Sequence, residues 1–418
     1  MVFGGRDVDS RRAPCIRQVY SSNYVRRMTR RSTGVRDDRA TRPRARIAVA
    51  VTAVLCIAAV AAGCGGGGIG AAGGQSGQQV DASGAVQGKL TISQWPLYID
   101  PGKNGTINEF EDATGVHVDY IEDINDNNEF FGKLQPQLAK GQSGGRDLIT
   151  VSDWLAKQMY DSGYIQKLDY AELPNVKKNL IPQLRHPPAD PNRQFTVPWQ
   201  AGMTGLIVNT DLAPNVNSVC DLFDPKYKGK VDMLTELRDS VPMTLKCMGI
   251  DPDHATTAQW LSAVDKIKEA ADSGQIRRFT GNDYIRDLSS GDVDFVLGWS
   301  GDAIQMQADN PAIKFVMPKE GCMLWSTSME IPVGAPNPAA AEAWMNFVYD
   351  PKVQADIAQY VNYVTPVKGV KQILVKRDPQ LAKSKLIFPP ESYTKNCTYE
   401  PVLNGEQGRQ VTQAFNAV

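Results

Sequence analysis

Trp299 and Asp302 stand three residues apart at the end of the stretch DFVLGWSGD, and together they offer a large π-face and a fixed negative charge. This pair suits an organic cation, which the ring attracts through its π-electrons and the carboxylate binds through a charge-assisted hydrogen bond. The alternative is a core tryptophan beside an aspartate in the first turn of a helix, where the macrodipole favours an acid. The stretch alone leaves both interpretations open.

Similar side chains follow two other predicted strands. Trp95 and Tyr98 come after the first predicted strand, and Ser152, Asp153 and Trp154 come directly after the third. Ligands of open α/β sheets bind at the carboxyl ends of the strands, so these side chains are candidates for the lining of a cleft. The alternative is a set of buried tryptophans, with Asp153 as an ordinary helix N-cap.

Two further acids follow the predicted strand Lys230–Leu234. Glu236 and Asp239 are three residues apart, so they face the same way if this turn is helical. Asp239 also has a structural explanation, as the N-cap of a helix with Pro242 in its first turn. No such explanation applies to Glu236.

All of these candidates depend on a sheet that brings the strand ends together. The pattern alternates strands at 89–94, 116–121 and 147–151 with helices at 104–114, 129–140 and 154–161, and a strand at 294–297 ends in glycines before a helix at 303–308. This alternation predicts an α/β fold with helices on both faces of a mostly parallel sheet. The body, residues 89–418, exceeds one comfortable core and is expected to form two lobes.

The segment before the body has the features of an export signal. Residues 1–46 contain 13 Arg and 4 Asp, residues 47–63 are small and apolar, and Ala61-Ala-Gly-Cys64 follows the pattern of a bacterial lipoprotein cleavage site. We therefore predict a signal peptide at 1–63 with a long basic n-region, a lipid on the Cys64 thiol, and a flexible Gly-rich tether at 64–88. The alternative for the apolar run is an ordinary membrane anchor.

The charge of the body differs from that of the whole chain. Removing residues 1–46 leaves 32 of the 45 basic residues and 42 of the 46 acidic ones. An acidic body argues against nucleic acid as a partner and favours cationic ligands through long-range steering.

Four cysteines remain in the body, Cys220, Cys247, Cys322 and Cys397, and an oxidising compartment allows them two disulfides with three possible connectivities. The three histidines are scattered and no Cys/His spacing predicts a metal site. The motif at 298–302 lacks the last glycine of a nucleophile elbow, and neither a phosphate loop nor a dinucleotide fingerprint is present. We predict that the protein is not an enzyme and has no cofactor.

Several motifs together resemble the polyamine-binding (spermidine/putrescine) solute receptors of bacterial ABC importers, over residues 89–371. The motifs are QWxxY at 94–98, GYIQKLD at 163–169, VPWQAGMTGL at 197–206, YKGKV at 227–231, GWSGD at 298–302 and PKEG at 318–321. The resemblance implies the type II periplasmic-binding-protein fold, with two crossovers and a hinge that closes on the ligand. The first lobe would be 89–199 plus 326–371, and the second 200–325 plus 372–418. Sequence proximity and this lobe assignment favour the pairs Cys220–Cys247 and Cys322–Cys397.

The resemblance also implies roles for the candidate residues. An aromatic box around a methylene chain would consist of Trp95, Tyr98, Trp154, Trp299, Trp325 and Tyr363. Glu236, Asp239 and Asp302 would meet ammonium groups, with Ser152 and Asp153 nearby. The implied function is that of a monomeric, lipid-anchored extracytoplasmic receptor that delivers a polyamine to an ABC permease.

Two departures from the family pattern leave alternatives open. Pro96 and Leu97 stand where the family usually has a polar or acidic residue, and Thr327 stands where it often has an aspartate. Each change weakens an anchor for an ammonium group. A receptor of the same fold for a quaternary amine or a small sugar is therefore the first alternative, and an extracytoplasmic amine-processing enzyme is a remote one.

Overall fold

The computed structural model describes residues 86–403 and 405–418. The predicted signal peptide, the lipid site at Cys64 and the tether up to residue 85 lie outside this part of the chain. Within it, none of the helices combines the length and the apolar character that crossing a membrane requires.

The centre of the fold is a ten-stranded sheet. Its strands are β1 Lys89–Gln94, β2 His117–Glu122, β3 Leu148–Ser152, β4 Val197–Asn209, β5 Val231–Leu234, β6 Ile276–Thr280, β7 Phe295–Trp299, β8 Ile313–Val316, β9 Met323–Glu330 and β10 Thr398–Tyr399. Their order is β2-β1-β3-β9-β4-β7-β5-β6, with β10 beside β9 and β8 beside β4. The outer strands pair in parallel within each half, whereas the two central strands β4 and β9 run antiparallel to each other.

Strand β4 links the two halves. Its first part pairs with β9, and its last part pairs with β7 and β8. All thirteen of its residues are buried, which fits its near-continuous run of apolar and small side chains. The strand runs through residues 201–204 without interruption. The lobe boundaries stay a prediction, because the contacts group the described residues into one unit.

Helices cover both faces of the sheet, as the alternating pattern predicts. They are α1 Thr106–Thr114, α2 Asn127–Leu138, α3 Asp153–Asp161, α4 Pro174–Asn179, α5 Leu237–Cys247, α6 Thr257–Asp272, α7 Tyr284–Ser290, α8 Ser300–Asp309, α9 Pro338–Phe347, α10 Pro351–Val361, α11 Val370–Arg377, α12 Glu391–Thr394 and α13 Gly405–Phe415. Helix α2 continues through Pro136 without restarting.

The prediction for the stretch around Trp299 needs a correction. Gly298 continues strand β7 instead of breaking it, and helix α8 begins at Ser300, immediately after the strand. Glycine suits this position inside the sheet, because a Cβ here would lie 2.8 Å from Ile207, which is too close for an ordinary contact. Asp302 therefore stands in the first turn of α8, one turn away from the end of the strand.

Both disulfides of the favoured pairing are present. Cys220 bonds Cys247 at the end of α5, and Cys322 bonds Cys397. The second bond joins the residue before β9 to the residue before β10, and so attaches the C-terminal segment to the middle of the sheet.

Candidate functional site

A cleft lies where the carboxyl ends of the parallel strands from both halves meet. Ten of the twelve predicted site residues line it: Trp95, Tyr98, Ser152, Glu236, Asp239, Trp299, Asp302, Trp325, Thr327 and Tyr363. Strands β1, β3, β5 and β7 deliver most of them at or just beyond their last residues, and β9 adds Trp325 and Thr327 from the sheet centre. The structure therefore brings most of the strand-end side chains together, with the exception of Asp153 and Trp154.

Five aromatic rings form a connected wall. Trp95 contacts Trp299, Trp299 contacts Trp325, Trp325 contacts Tyr363 and Tyr363 contacts Tyr98, with ring centroids 5.3 to 6.4 Å apart. Three of these four contacts are edge-on, with interplanar angles of 73 to 82°. Such a wall suits an apolar chain with cationic ends.

Trp325 keeps its place because a glycine lies beneath it. A Cβ at Gly202 would lie 2.3 Å from the ring of Trp325, so a larger residue at position 202 would push the indole aside. Residue 202 pairs with residue 325 across strands β4 and β9. The motif at 197–206 thus positions an aromatic wall that its own side chains do not form.

Asp302 is a buried carboxylate with three donors. The hydroxyl groups of Tyr284 and Tyr363 donate to its two oxygens, and Asn282 Nδ2 donates to Oδ2 at 3.0 Å. Burial raises the pKa of Asp302 to about 6, against the effect of the three hydrogen bonds, which favour the charged form. The protein itself therefore fills most of the acceptor capacity of Asp302.

Asp239 lies in the first turn of α5 and is 0 % exposed. Trp299 Nε1 donates to its Oδ2 at 2.9 Å, whereas Oδ1 makes no hydrogen bond of ordinary geometry, although the hydroxyl of Thr204 lies near enough to the carboxylate to lower its pKa. Burial and the nearby Glu236 raise the pKa of Asp239 to about 7. A buried carboxylate oxygen without a donor is costly, and a cation in the cleft would supply the donor.

Glu236, and not Asp239, is the N-cap of α5, which corrects the sequence interpretation. Its Oε1 accepts a hydrogen bond from the backbone N–H of Arg238 at 3.1 Å, and its Oε2 accepts one from Asn127 Nδ2 at 3.0 Å. Burial raises the pKa of Glu236, and the guanidinium of Arg238, 3.9 Å away, opposes this. Capping and facing the cleft are therefore compatible roles for this residue.

Two predicted residues do not line the cleft. Asp153 turns to strand β9, where it accepts hydrogen bonds from the hydroxyl groups of Ser326 and Ser328. The ring of Trp154 is covered by the guanidinium of Arg238, 3.5 Å from the ring centroid. Both Asp153 and Trp154 are therefore engaged by neighbouring side chains, and neither lines the cleft.

Sequence reasoning missed four lining residues: Pro96, Asn127, Asn282 and Glu400. Asn127 begins the helix after β2, and Asn282 follows β6, so each has the strand-end signal that identified the others. Glu400 follows β10, a strand of only two residues, which leaves no detectable pattern in the sequence. Burial and the charges of Asp239 and Glu236 raise its pKa well above the ordinary value.

The described residues contain no group of three or more His, Cys, Asp or Glu side chains arranged to hold a metal ion. The polar groups of the cleft are instead carboxylates, amides and hydroxyls between aromatic rings. This arrangement fits an organic ligand with cationic groups.

Residues 105–384 match the family described as bacterial extracellular solute-binding protein. The chain is 30 % identical over 357 residues to the putrescine-binding periplasmic protein PotF of Escherichia coli (strain K12), covering 80 % of this chain and 92 % of the relative. It is 28 % identical over 313 residues to the spermidine/putrescine-binding periplasmic protein of the same organism, covering 74 % and 86 %. Among solved structures, it is similar to the spermidine/putrescine ABC transporter substrate-binding protein PotD from Streptococcus pneumoniae, with a TM-score of 0.65, 24 % identity and coverage of 79 % and 98 %.

Proposed function

The chain belongs to the bacterial extracellular solute-binding proteins, and from this premise we propose that it captures a polyamine in the cleft and delivers it to an ABC importer. The predicted type II periplasmic-binding-protein fold is confirmed by the solved structures that match nearly their full length. The family and the relatives bind solutes for transport and are not enzymes, in agreement with the sequence prediction.

The observation that carries the proposal is the unpartnered Oδ1 of Asp239. This atom is buried at the base of an aromatic cleft, beside Glu236 and Glu400. An ammonium group brings both the positive charge and the N–H donors that this position lacks. A sugar brings no charge, and a quaternary amine brings no N–H donor, so the polyamine satisfies the site best.

The five-ring wall supports the same ligand class. A polyamine alternates charged nitrogens with methylene chains. The five rings of the wall, with Trp95 at one end and Tyr98 at the other, offer a long apolar surface for these chains. Of the positions that depart from the family pattern, Leu97 does not line the cleft, whereas Pro96 does, and so does Thr327. Its hydroxyl lies 3.4 Å from that of Tyr98, so this position offers a polar contact without a charge.

Further parts of the proposal concern attachment and partners. We expect a lipid on Cys64 to hold the body, as a monomer, at the outer side of the cell membrane near an ABC permease. Treating cells with a lipoprotein signal peptidase inhibitor would show an uncleaved precursor if this is correct. A Cys64→Ser chain that stays membrane-bound and fully processed would contradict it.

Calorimetric titration tests the ligand class. The purified protein is titrated with putrescine, spermidine, spermine, agmatine and glycine betaine under the same conditions. We expect micromolar or tighter binding of at least one polyamine and none of glycine betaine. Binding of glycine betaine or a sugar without binding of any polyamine would replace the proposed ligand while leaving the receptor role in place.

A further inference from the structure

We propose that the Cys322–Cys397 disulfide is a positioning element of the ligand site, because it holds the carboxylate of Glu400 in the cleft. The inference rests on the proposed function, since it concerns the affinity of the same cleft. It adds a contribution from the C-terminal segment, which lies beyond the residues that match the family.

The disulfide stands at the start of two parallel strands that both run to the cleft. Cys322 immediately precedes β9, and Cys397 immediately precedes β10. Thr398 N donates to the carbonyl of Cys322 at 3.0 Å, and Glu400 N donates to that of Leu324 at 2.8 Å. Glu400 lies three residues after one cysteine and Trp325 three residues after the other, and both line the cleft.

The pairing between these strands is short. Strand β10 has two residues, which pair with Met323 and Leu324 of β9. So few ladder hydrogen bonds give little cooperative resistance to separation. The negative charges of Asp239 and Glu236 also disfavour the charged form of Glu400. The disulfide next to β10 opposes any movement of Glu400 away from Asp239 and Glu236.

Other contacts keep the C-terminal segment folded without fixing Glu400. Lys246 Nζ donates to the carbonyl of Asn396 at 3.2 Å and to Thr398 Oγ1 at 3.0 Å. Further along, the rings of Phe415 and Phe279 meet edge-on with centroids 6.1 Å apart. Loss of the disulfide is therefore expected to loosen the segment around β10 and leave the rest of the fold in place.

The other disulfide provides a matched control. Cys247 is the last residue of α5, whose first turn carries Asp239. Their separation of eight positions corresponds to about 12 Å along the helix. Removing Cys220–Cys247 also deletes a cross-link from the same chain, at the end of α5 that carries Lys246, whose hydrogen bonds reach Asn396 and Thr398 and not Glu400.

The experiment compares the full-length chain, purified in detergent, with C322S/C397S, C220S/C247S, E400Q and the triple variant C322S/C397S/E400Q. Calorimetry gives Kd for putrescine and spermidine, and thermal melting gives Tm. We expect both cysteine variants to lower Tm, but only C322S/C397S to raise Kd by about 10-fold or more, the effect of one lost charged hydrogen bond. E400Q should raise Kd by a similar factor, and the triple variant should bind no more weakly than E400Q.

Three results would overturn the inference. These are an unchanged Kd in E400Q, equal Kd changes in the two cysteine variants, or losses that add fully in the triple variant. E400Q retains both disulfides, so an unchanged Kd in this variant overturns the inference even if C322S/C397S does not fold. A wild-type chain that binds no polyamine would instead withdraw the proposed function, and this inference with it.

Discussion

Both ends of the cleft carry buried acids, but the two ends differ in the hydrogen-bond donors that the protein supplies to these acids. At the Asp302 end, comprising Asp302, Asn282, Tyr284 and Tyr363, three donors from the protein already meet the carboxylate. At the Asp239 end, comprising Glu236, Asp239 and Glu400 with Arg238, the guanidinium interacts with Glu236 and Glu400, and an oxygen of Asp239 makes no hydrogen bond of ordinary geometry. The first end is complete without a ligand, and the second is not.

This difference assigns separate tasks to acids of the same chemical type. A carboxylate that accepts hydrogen bonds from two tyrosines and an amide mainly orders those side chains around the ligand. A carboxylate that has an unused acceptor oxygen and lies among like charges is stabilised most when a cation binds beside it. Binding energy should therefore concentrate at the Asp239 end.

The largest effect is expected from Asp239→Asn. The change removes the charge and places a donor group where the cation would donate, so Kd for the preferred polyamine should rise roughly 10- to 100-fold, as for loss of a charged hydrogen bond. Calorimetry of this variant is compared with Asp265→Asn, which neutralises an exposed acid on α6. Equal affinities of the two variants would remove Asp239 from the site.

Asp302→Asn should have a smaller effect. Its acceptors are already filled, and removal of a buried charge offsets part of the loss, so we expect Kd to rise about 3- to 10-fold. The same titration, run beside that of Asp239→Asn, ranks the two ends. A larger loss for Asp302→Asn would reverse the comparison and place the main ammonium contact at the tyrosine-bonded end.

The pH dependence should report both ends. Burial raises the pKa of Asp239 from 3.8 to about 7 and that of Asp302 from 3.8 to about 6. A raised folded-state pKa stabilises the ligand-free fold at low pH, and this contribution is lost as the pH rises through about 6 to 7. A bound cation favours the charged forms and reverses the trend.

We therefore expect the Tm of the ligand-free protein to fall between about pH 4 and pH 7, and the increase in Tm caused by saturating spermidine to grow over the same range. Thermal melting with and without ligand measures both. An increase in Tm that is constant with pH would show that these carboxylates do not change their protonation on binding.

The smallest effect on affinity is expected from Asp153→Asn. This acid holds Ser326 and Ser328 behind the cleft and does not line it, so the change should lower Tm while altering Kd less than about 3-fold. Calorimetry and thermal melting of the same sample separate the two effects. A 10-fold loss of affinity at unchanged Tm would restore the direct contact that the family resemblance implied.

The sequence was most informative where position along a strand decides position in space. Trp95 and Trp299 stand at strand ends, and sheet geometry carries such residues to one edge. Asp153 had the same signal, but its orientation depends on hydroxyl groups of β9, more than 170 residues away in the chain. No local sequence pattern predicts whether a side chain in the first turn of a helix will face the cleft or a neighbouring strand.

Glu400 and Glu236 show two other limits. The strand before Glu400 has two residues, held by a disulfide and by partners on β9, so its location depends on tertiary contacts. For Glu236 the uncertainty was one turn of helix, because α5 begins earlier than the Asp239 N-cap interpretation placed it. Helix ends are set by capping hydrogen bonds: here the backbone N–H of Arg238 donates to Glu236 locally, and Asn127 donates from across the fold.

The most direct test of the account is the number of protons released when a polyamine binds. Calorimetry at about pH 6.5 in two buffers with different ionisation enthalpies gives this number for the wild type and for Asp239→Asn. If the acids at the Asp239 end lose protons when a cation binds beside them, the wild type releases protons on binding. Asp239→Asn then releases fewer protons and binds more weakly. Equal proton release and equal affinity in the two proteins would contradict the account.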